Sequence, residues 1–126
     1  MKTYDATDTY VHLPDGPEVS VIPVTAEFWS TIDQRTELQT GRLVTATTVD
    51  TDWDTWEMHP DGDELIVVTE GRVRLHLDDG TRTSDVTVAA PEFVVMPAGT
   101  WHTADSLGHA RLLIVTWGAG TQHRPR

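Results

Sequence analysis

The stretch from Trp56 to Glu64 reads Trp-Glu-Met-His-Pro-Asp-Gly-Asp-Glu and is the most informative part of the sequence. Side chains two residues apart in a β-strand share one face, so Glu57 and His59 are predicted to project together. The Pro-Asp-Gly tripeptide that follows is typical of a tight reversal, which would return the chain as an antiparallel strand beginning at Glu64. One hairpin end is therefore expected to carry three potential metal ligands.

A second informative run, from Pro97 to His102, reads Pro-Ala-Gly-Thr-Trp-His and lies well downstream of the first. Its tight turn delivers His102 at the start of another predicted strand, where this histidine would supply the closing ligand. The chain has no cysteine, so any metal must be held by nitrogen and oxygen. Two imidazoles with one or two carboxylates suit Fe(II), Mn(II), Zn(II), Ni(II) or Co(II), and the general affinity order does not choose among them.

Apolar residues elsewhere recur in short runs separated by Gly, Pro and Asp, a pattern typical of antiparallel all-β domains. The segment from Thr25 to Asp33 is the exception, because its apolar residues have the spacing of a short helix. Nine strands are predicted, which favours a barrel of two sheets: Val19–Val24, Arg42–Val49, Thr55–His59, Glu64–Thr69, Val73–Leu77, Asp85–Ala89, Phe93–Met96, Trp101–Ala104 and Ala110–Trp117.

The first run resembles the first of the two motifs that mark the cupin superfamily. That motif reads G-x5-H-x-H-x3or4-E-x6-G, and Glu57-x-His59-x4-Glu64-x6-Gly71 reproduces its spacing from the first ligand onward. Glu57 stands where the first histidine is usual. A rival alignment with His59-x-Asp61 as the histidine pair would leave two residues before Glu64 and place Asp61 in the turn, so the first alignment is preferred.

The second run resembles the second cupin motif, G-x5-P-x-G-x2-H-x3-N, through Pro97-x-Gly99-x2-His102. Pro91 and Ser106 replace the leading glycine and the asparagine of that motif. The resemblance implies a cupin double-stranded β-helix, or jelly-roll barrel, with a metal near one end and an apolar pocket above it. The expected fold class is therefore all-β, with a short N-terminal helix added.

The ligands that the resemblance implies for one divalent metal ion are Glu57, His59, Glu64 and His102. Glu57 is also expected to be catalytic, since a carboxylate that leaves the ion can accept a proton. The residues predicted to contact the substrate are Ile66, Val68, Trp101 and Trp117. The remaining histidines, interpreted as ordinary surface or core residues, are His12, His76, His109 and His123. A metal-free cupin with the same residues in a polar pocket is the alternative.

The cupin fold hosts many activities and does not choose among them. We favour a metal-dependent enzyme that acts on a small organic molecule bound at the metal. It would be a non-redox isomerase or lyase using zinc or manganese, or a dioxygenase using Fe(II). A second carboxylate favours the non-redox type. The alternative is a non-catalytic cupin that binds or senses a small molecule.

The chain of 126 residues predicts one cupin domain, since this length rarely supports two cores. Residues 1–40 are expected to form an N-terminal arm with the short helix, and residues 41–118 the barrel. Residues 119–126 are predicted to be a tail whose last residues are frayed.

The charge of the chain limits its partners. Nine basic residues against 20 acidic ones give a formal net charge of -11, which repels nucleic acid and anionic membrane surfaces. No apolar run is long enough to span a bilayer or to act as a leader, so a cytoplasmic location is predicted. The predicted partners are a small-molecule ligand or substrate and, as the resemblance implies, a second copy in a homodimer to which the N-terminal segment adds a strand.

Overall fold

The computed structural model describes the whole chain, from Met1 to Arg126. One short helix, α1 (Phe28–Thr31), and two 3₁₀ turns (Ile32–Gln34 and Thr36–Gln39) precede the third strand. None of the helices has the length and apolar character needed to cross a bilayer. The eleven strands are β1 Thr9–Leu13, β2 Ser20–Pro23, β3 Arg42–Val49, β4 Thr55–Met58, β5 Glu64–Glu70, β6 Arg72–Asp78, β7 Thr83–Ala89, β8 Phe93–Met96, β9 Trp101–Ser106, β10 Ala110–Thr116 and β11 Gln122–Pro125.

The strands form two antiparallel sheets. The six-stranded sheet has the order β2-β1-β3-β10-β5-β8, and the five-stranded sheet has the order β11-β4-β9-β6-β7. Strands that are distant in sequence pair directly, such as β3 with β10 and β4 with β9. This arrangement is that of a jelly roll, so the predicted all-β jelly-roll barrel with a short N-terminal helix is confirmed.

A core of eleven buried apolar residues joins the two sheets. It follows from the two-residue period of the strands: β6 buries Val73 and Leu75, while Arg72 and Arg74, which alternate with them, face outward. Burying a side chain of this size stabilises the fold by about 1.5–3 kcal/mol. The core residues are Val49, Ile66, Val68, Val73, Leu75, Val88, Met96, Ala104, Ala110, Leu112 and Ile114.

The N-terminal arm has an apolar cluster of its own. Phe28, on α1, is 2% exposed and packs edge-on against Tyr10 of β1, with the ring centroids 5.3 Å apart. Ile22, Leu38 and Leu43 complete the cluster. Since β1 also pairs with β3, the arm continues the six-stranded sheet and covers one end of the barrel.

The nine predicted strands are present, with ends shifted by up to two residues. Two strands, β1 and β11, were missed. In β1 the buried His12 interrupts the apolar alternation. The expectation that the end of the tail is frayed was wrong, because Gln122–Pro125 pairs antiparallel with β4 along its whole length. Its sequence, Gln-His-Arg-Pro, has no apolar alternation, so only the partner strand determines its structure.

Candidate metal centre

The structure brings the four predicted ligands together. Glu57 lies in β4 and is paired with His102 on the neighbouring strand β9 of the five-stranded sheet. Glu64 begins β5 in the other sheet. His59 follows directly after β4. One nitrogen or oxygen from each of these four side chains lies within 4.8 Å of all the others.

Two tight turns hold these segments in place. The amide of Gly99 donates to the carbonyl of His59 at 2.8 Å, so the turn before His102 is bonded to the first hairpin. Gly99 has a φ of +80°, which favours glycine. In the first hairpin, a Cβ on Gly62 would lie 2.5 Å from the Cβ of Trp117, so only glycine fits. Gly62 and Gly99 thus allow the two turns, and the hydrogen bond between Gly99 and His59 joins the two sequence runs.

The ligand atoms lie at hydrogen-bond or ion-pair distances from one another. Nε2 of His102 is 3.1 Å from Oε1 of Glu64 and 3.4 Å from Oε1 of Glu57. Nε2 of His59 is 2.9 Å from Oε2 of Glu64. The side chain of Glu57 is 23% exposed, whereas the other three residues are buried. Glu57 is therefore the candidate ligand nearest to solvent.

Hydrogen bonds from other residues orient both imidazole rings. Nδ1 of His102 lies 3.1 Å from the carbonyl of Thr100, which can only accept, so Nδ1 carries a proton. The Thr121 hydroxyl donates to the carbonyl of Gly118 at 2.8 Å, so it accepts from Nδ1 of His59 at 2.7 Å. These hydrogen bonds place a proton on Nδ1 of both rings and hold both Nε2 atoms toward the carboxylates. Metal-ligating histidines are oriented in the same way.

The other ligand with a positioning contact is Glu64. The Thr116 hydroxyl donates to Oε2 of Glu64 at 2.6 Å, and the two residues are paired across β10 and β5. A carboxylate held in this way has little freedom to rotate, so its oxygens stay directed toward His59 and His102. Such hydrogen bonds to ligands typically strengthen metal binding.

One buried nitrogen at the centre has no hydrogen bond. Nε2 of His59 lies 2.9 Å from Glu64, but the two groups are not aligned as a hydrogen bond requires, and no other partner is present. Leaving a buried polar atom unpaired is costly. A divalent cation between His59, His102 and the two carboxylates would satisfy this nitrogen, so the residues fit a metal ion.

The electrostatics of the centre also favour a cation. Burial lowers the pKa of His102, but hydrogen bonds with Glu57 and Glu64 outweigh it and raise this pKa to about 10. Burial raises the pKa of Glu57, yet hydrogen bonds from His102 and His123 bring it well below its usual range. Without a metal, a proton on His102 therefore holds positive charge between two carboxylates. A divalent ion would replace that proton.

A cavity of about 600 Å³ opens onto the centre. Three of the predicted ligands, Glu57, His59 and Glu64, are in its wall. The N-terminal arm supplies Tyr10 and Trp29 to the same cavity. This volume is in the range of small-molecule binding sites, so the arm and the barrel together form a pocket beside the candidate metal centre.

The four predicted substrate-contacting residues do not line this cavity. Ile66 and Val68 share the inward face of Glu64 but lie further along β5, in the packed core. Trp101 points away from His102, and its ring lies under the guanidinium of Arg124. The ring of Trp117 instead packs with its centroid 5.4 Å from the guanidinium of Arg42.

Sequence reasoning missed two residues of the site, Thr121 and His123. Both come from the C-terminal segment, where β11 places His123 opposite Glu57 of β4. Nε2 of His123 is 3.5 Å from Oε2 of Glu57. Their spacing of two residues, which puts both on one strand face, was the only available signal.

The other three histidines make contacts away from the centre. His12 is buried and bonds the carbonyl of Thr40 at 2.7 Å. His76 pairs with Asp105 at 2.6 Å, on the five-stranded sheet. His109 pairs with Asp50 at the same distance. Their interpretation as structural or surface residues therefore agrees with their contacts.

Comparisons with known proteins agree with this geometry. A family model for the cupin domain matches residues 48–118, a span that contains all four candidate ligands. A search of the curated proteins finds no significant match.

Solved structures show the same fold at low sequence identity. A cupin superfamily protein from Desulfitobacterium hafniense aligns with a TM-score of 0.51 and 17% identity, covering 60% of this chain and 65% of that one. Hydroquinone 1,2-dioxygenase from Sphingomonas sp. TTNP3 aligns with a TM-score of 0.52 and 10% identity, covering 62% of this chain and 61% of that one. An oxalate oxidase aligns with a TM-score of 0.54 and 20% identity, covering 64% of this chain and 45% of that one. At these identities the similarity establishes the fold alone.

Proposed function

This chain belongs to the cupin domain family, and we propose that it is a mononuclear divalent-metal cupin acting on a small organic molecule. The observation that carries the proposal is the convergence of two imidazole Nε2 atoms and two carboxylates at one end of the cavity. Both rings have Nδ1 occupied by a hydrogen bond, which leaves Nε2 for the metal. A cluster of surface acids that binds no metal would not need two histidine rings oriented in this way.

We propose that His59, Glu64 and His102 hold the ion and that Glu57 is the fourth ligand. When bound, the ion supplies Lewis acidity, or redox chemistry if it is iron. Glu57 differs from the others because it is partly exposed, lies in the cavity wall and contacts His123. It is therefore the carboxylate that can accept a proton from a substrate, with His123 as its neighbour.

A non-redox reaction of the isomerase or lyase type is the activity that this arrangement supports best. The two carboxylates neutralise a divalent ion. Glu57, when it leaves the ion, is placed to act as a base. The test is an assay of protein loaded with zinc, manganese or iron against candidate diketones, thiols and catechols, with oxygen uptake recorded. Turnover without oxygen consumption is expected, and it should be lost in Glu57→Gln.

Each other outcome of that assay has a distinct meaning. Oxygen consumption that depends on iron would contradict the non-redox proposal and favour a dioxygenase. Binding of a molecule that is never converted would favour a sensing or storage cupin. Activity that is unchanged in Glu57→Gln would contradict the role of Glu57 as base.

We further propose that the chain forms a homodimer through the outer face of the six-stranded sheet. One apolar residue from each strand forms a continuous row on this face, and every neighbouring pair is in direct register. The row consists of Val21, Val11, Val44, Val115, Leu65 and Val95. An apolar row of this kind is unusual for exposed sheet and typical of interfaces.

A second copy is the occupant that we propose, because two chains of net charge -11 can approach each other most easily where this apolar row adds no negative charge. Phe93 and Val95, at one edge of the face, are 62% and 55% exposed. Light scattering should give the mass of a dimer for the parent chain and of a monomer for Val115→Glu. Val86→Glu, on the other sheet, is the control and should remain dimeric. A monomeric parent would contradict the proposal.

A further inference from the structure

The charged residues of the cavity are almost all acidic. Asp33, Asp54, Glu57 and Glu64 line it, and no lysine or arginine does. A divalent metal would neutralise Glu57 and Glu64. The remaining two carboxylates, Asp33 and Asp54, are exposed. The cavity therefore keeps negative charge even when the metal is bound.

The one side chain able to offset this charge is already paired. His123 lines the cavity, and its Nε2 lies 3.5 Å from Glu57. Even as a cation it carries one charge against the two of Asp33 and Asp54. An anionic ligand would thus meet more carboxylate charge than His123 alone can compensate.

Aromatic rings form a second, independent feature of the same cavity. Tyr10 and Trp29 lie together at its wall, with their ring centroids 5.8 Å apart, and Trp53 lines it as well. Trp29 is 58% exposed, so its ring is accessible to a ligand. Aromatic faces attract ammonium groups and also bind apolar bodies, and nearby carboxylates strengthen the attraction for a cation.

We propose that the cavity binds a small organic cation, an amine with an apolar or aromatic body, in preference to an anion of the same shape. The inference deepens the proposed function, since it takes the cavity as the substrate site and names the class of substrate. The ammonium group would lie near Asp33 and Asp54, and the apolar body would contact Tyr10 and Trp29. A small dicarboxylate is the class that this cavity disfavours most.

The test uses three probes of one shape and different charge: benzylamine, benzyl alcohol and benzoate. Each is titrated by calorimetry into metal-loaded protein at neutral pH. We expect benzylamine to bind at least about tenfold more tightly than benzoate, a difference of about 1.4 kcal/mol. The double variant Asp33→Asn/Asp54→Asn should lose most of this preference and leave the affinity for benzyl alcohol unchanged.

A matched control separates local from overall charge. The double variant Asp15→Asn/Glu18→Gln changes the net charge equally at two exposed positions outside the cavity lining, and it should keep the preference. Three results would overturn the proposal: benzoate binding as tightly as benzylamine, a preference that survives in the Asp33/Asp54 variant, or no binding of any probe.

Repeating the titrations on metal-free protein distinguishes this inference from the proposed function. Removal of the ion only makes the cavity more negative, so the preference for benzylamine should persist. A chain that binds no metal but still prefers the cation would contradict the metal proposal and support the inference. A chain that binds metal and shows no charge preference would support the metal proposal and contradict the inference.

Discussion

Glu57 is the residue at which this site departs most from the usual cupin motif. It lies 3.4 Å from Nε2 of His102, and it is the only candidate ligand with substantial exposure. Its carboxylate adds a second negative charge to the centre, which a histidine in that position would not. The charge of the centre therefore depends directly on this one substitution in the motif.

Glu57→Gln tests whether this charge contributes to metal binding. The amide keeps the size of the side chain but is a much poorer ligand, so metal affinity should fall by about ten- to a hundredfold. Competition with a chromogenic chelator measures the effect, and Glu70→Gln, at an exposed carboxylate outside the cavity lining, is the control. Unchanged affinity would show that His59, Glu64 and His102 suffice.

Thr121 is expected to act on the metal through His59. Thr121→Val removes the hydroxyl that accepts from Nδ1 of His59, so the ring loses its fixed orientation. Metal affinity should fall by about tenfold or more, whereas Thr121→Ser should restore it because the hydroxyl is retained. Equal affinities for the valine and serine variants would show that this hydrogen bond is unimportant.

The residues of the site differ in how well sequence could predict them. Glu57, His59 and Glu64 followed from a two-residue strand period and one local turn, both short-range features. Thr121 contacts His59 across 62 residues, and nothing local predicts such a pairing. Ile66 was predicted to contact the substrate, but it lies in the packed core, because its depth in the barrel depends on tertiary packing.

At the scale of elements, β11 matters more than its length suggests. It pairs only with β4 and carries His123, while Thr121 lies just before it. Arg124 fastens the strand by an ion pair with Asp78 at 2.7 Å and by stacking 4.5 Å from the ring centroid of Trp101. This strand is therefore both an edge of the sheet and a wall of the cavity.

Deletion of residues 119–126 should lower metal affinity at least as much as Thr121→Val does, because it also removes His123. The β-sheet circular dichroism spectrum should persist, since the main core lies in other strands. Deletion of residues 1–4, which are exposed and precede the first strand, is the control and should leave affinity unchanged. An intact metal affinity after the C-terminal deletion would contradict the role given to β11.

The predicted elements share a pattern that the missed ones lack. β3 and β8 were predicted with their observed ends because their β-branched and apolar residues are bounded by turns. By contrast, β11 contains a proline and no apolar alternation, so its conformation is imposed by its pairing with β4. An element whose conformation is set by its pairing partner rather than by its own residues cannot be predicted from sequence patterns.

At the scale of the whole molecule, the metal centre is separate from what holds the fold together. Eleven buried apolar residues form the main core and five more support the arm. The candidate ligands belong to neither cluster, although they join β4, β5 and β9 across both sheets. The metal is therefore expected to add stability to a barrel that folds without it.

Chelation should lower the melting temperature without unfolding the protein. A ligand that binds only the native state contributes about 4 kcal/mol when its free concentration is about 1,000 times Kd, and removing it forfeits that contribution. Thermal scans with and without a chelator, followed by circular dichroism at room temperature, measure both effects. A chain that unfolds completely in chelator at room temperature would indicate a structural rather than a functional metal.

The metal content of tag-free protein decides whether the four candidate ligands hold an ion. Elemental analysis should find one divalent ion per chain in the parent protein and in the control His76→Ala/His109→Ala, whose histidines lie on the surface. The variant His59→Ala/His102→Ala should be folded by circular dichroism and contain no bound ion, since both nitrogen ligands are gone. Stoichiometric metal in that variant, or none in the parent after exposure to zinc, manganese and iron, would contradict this account.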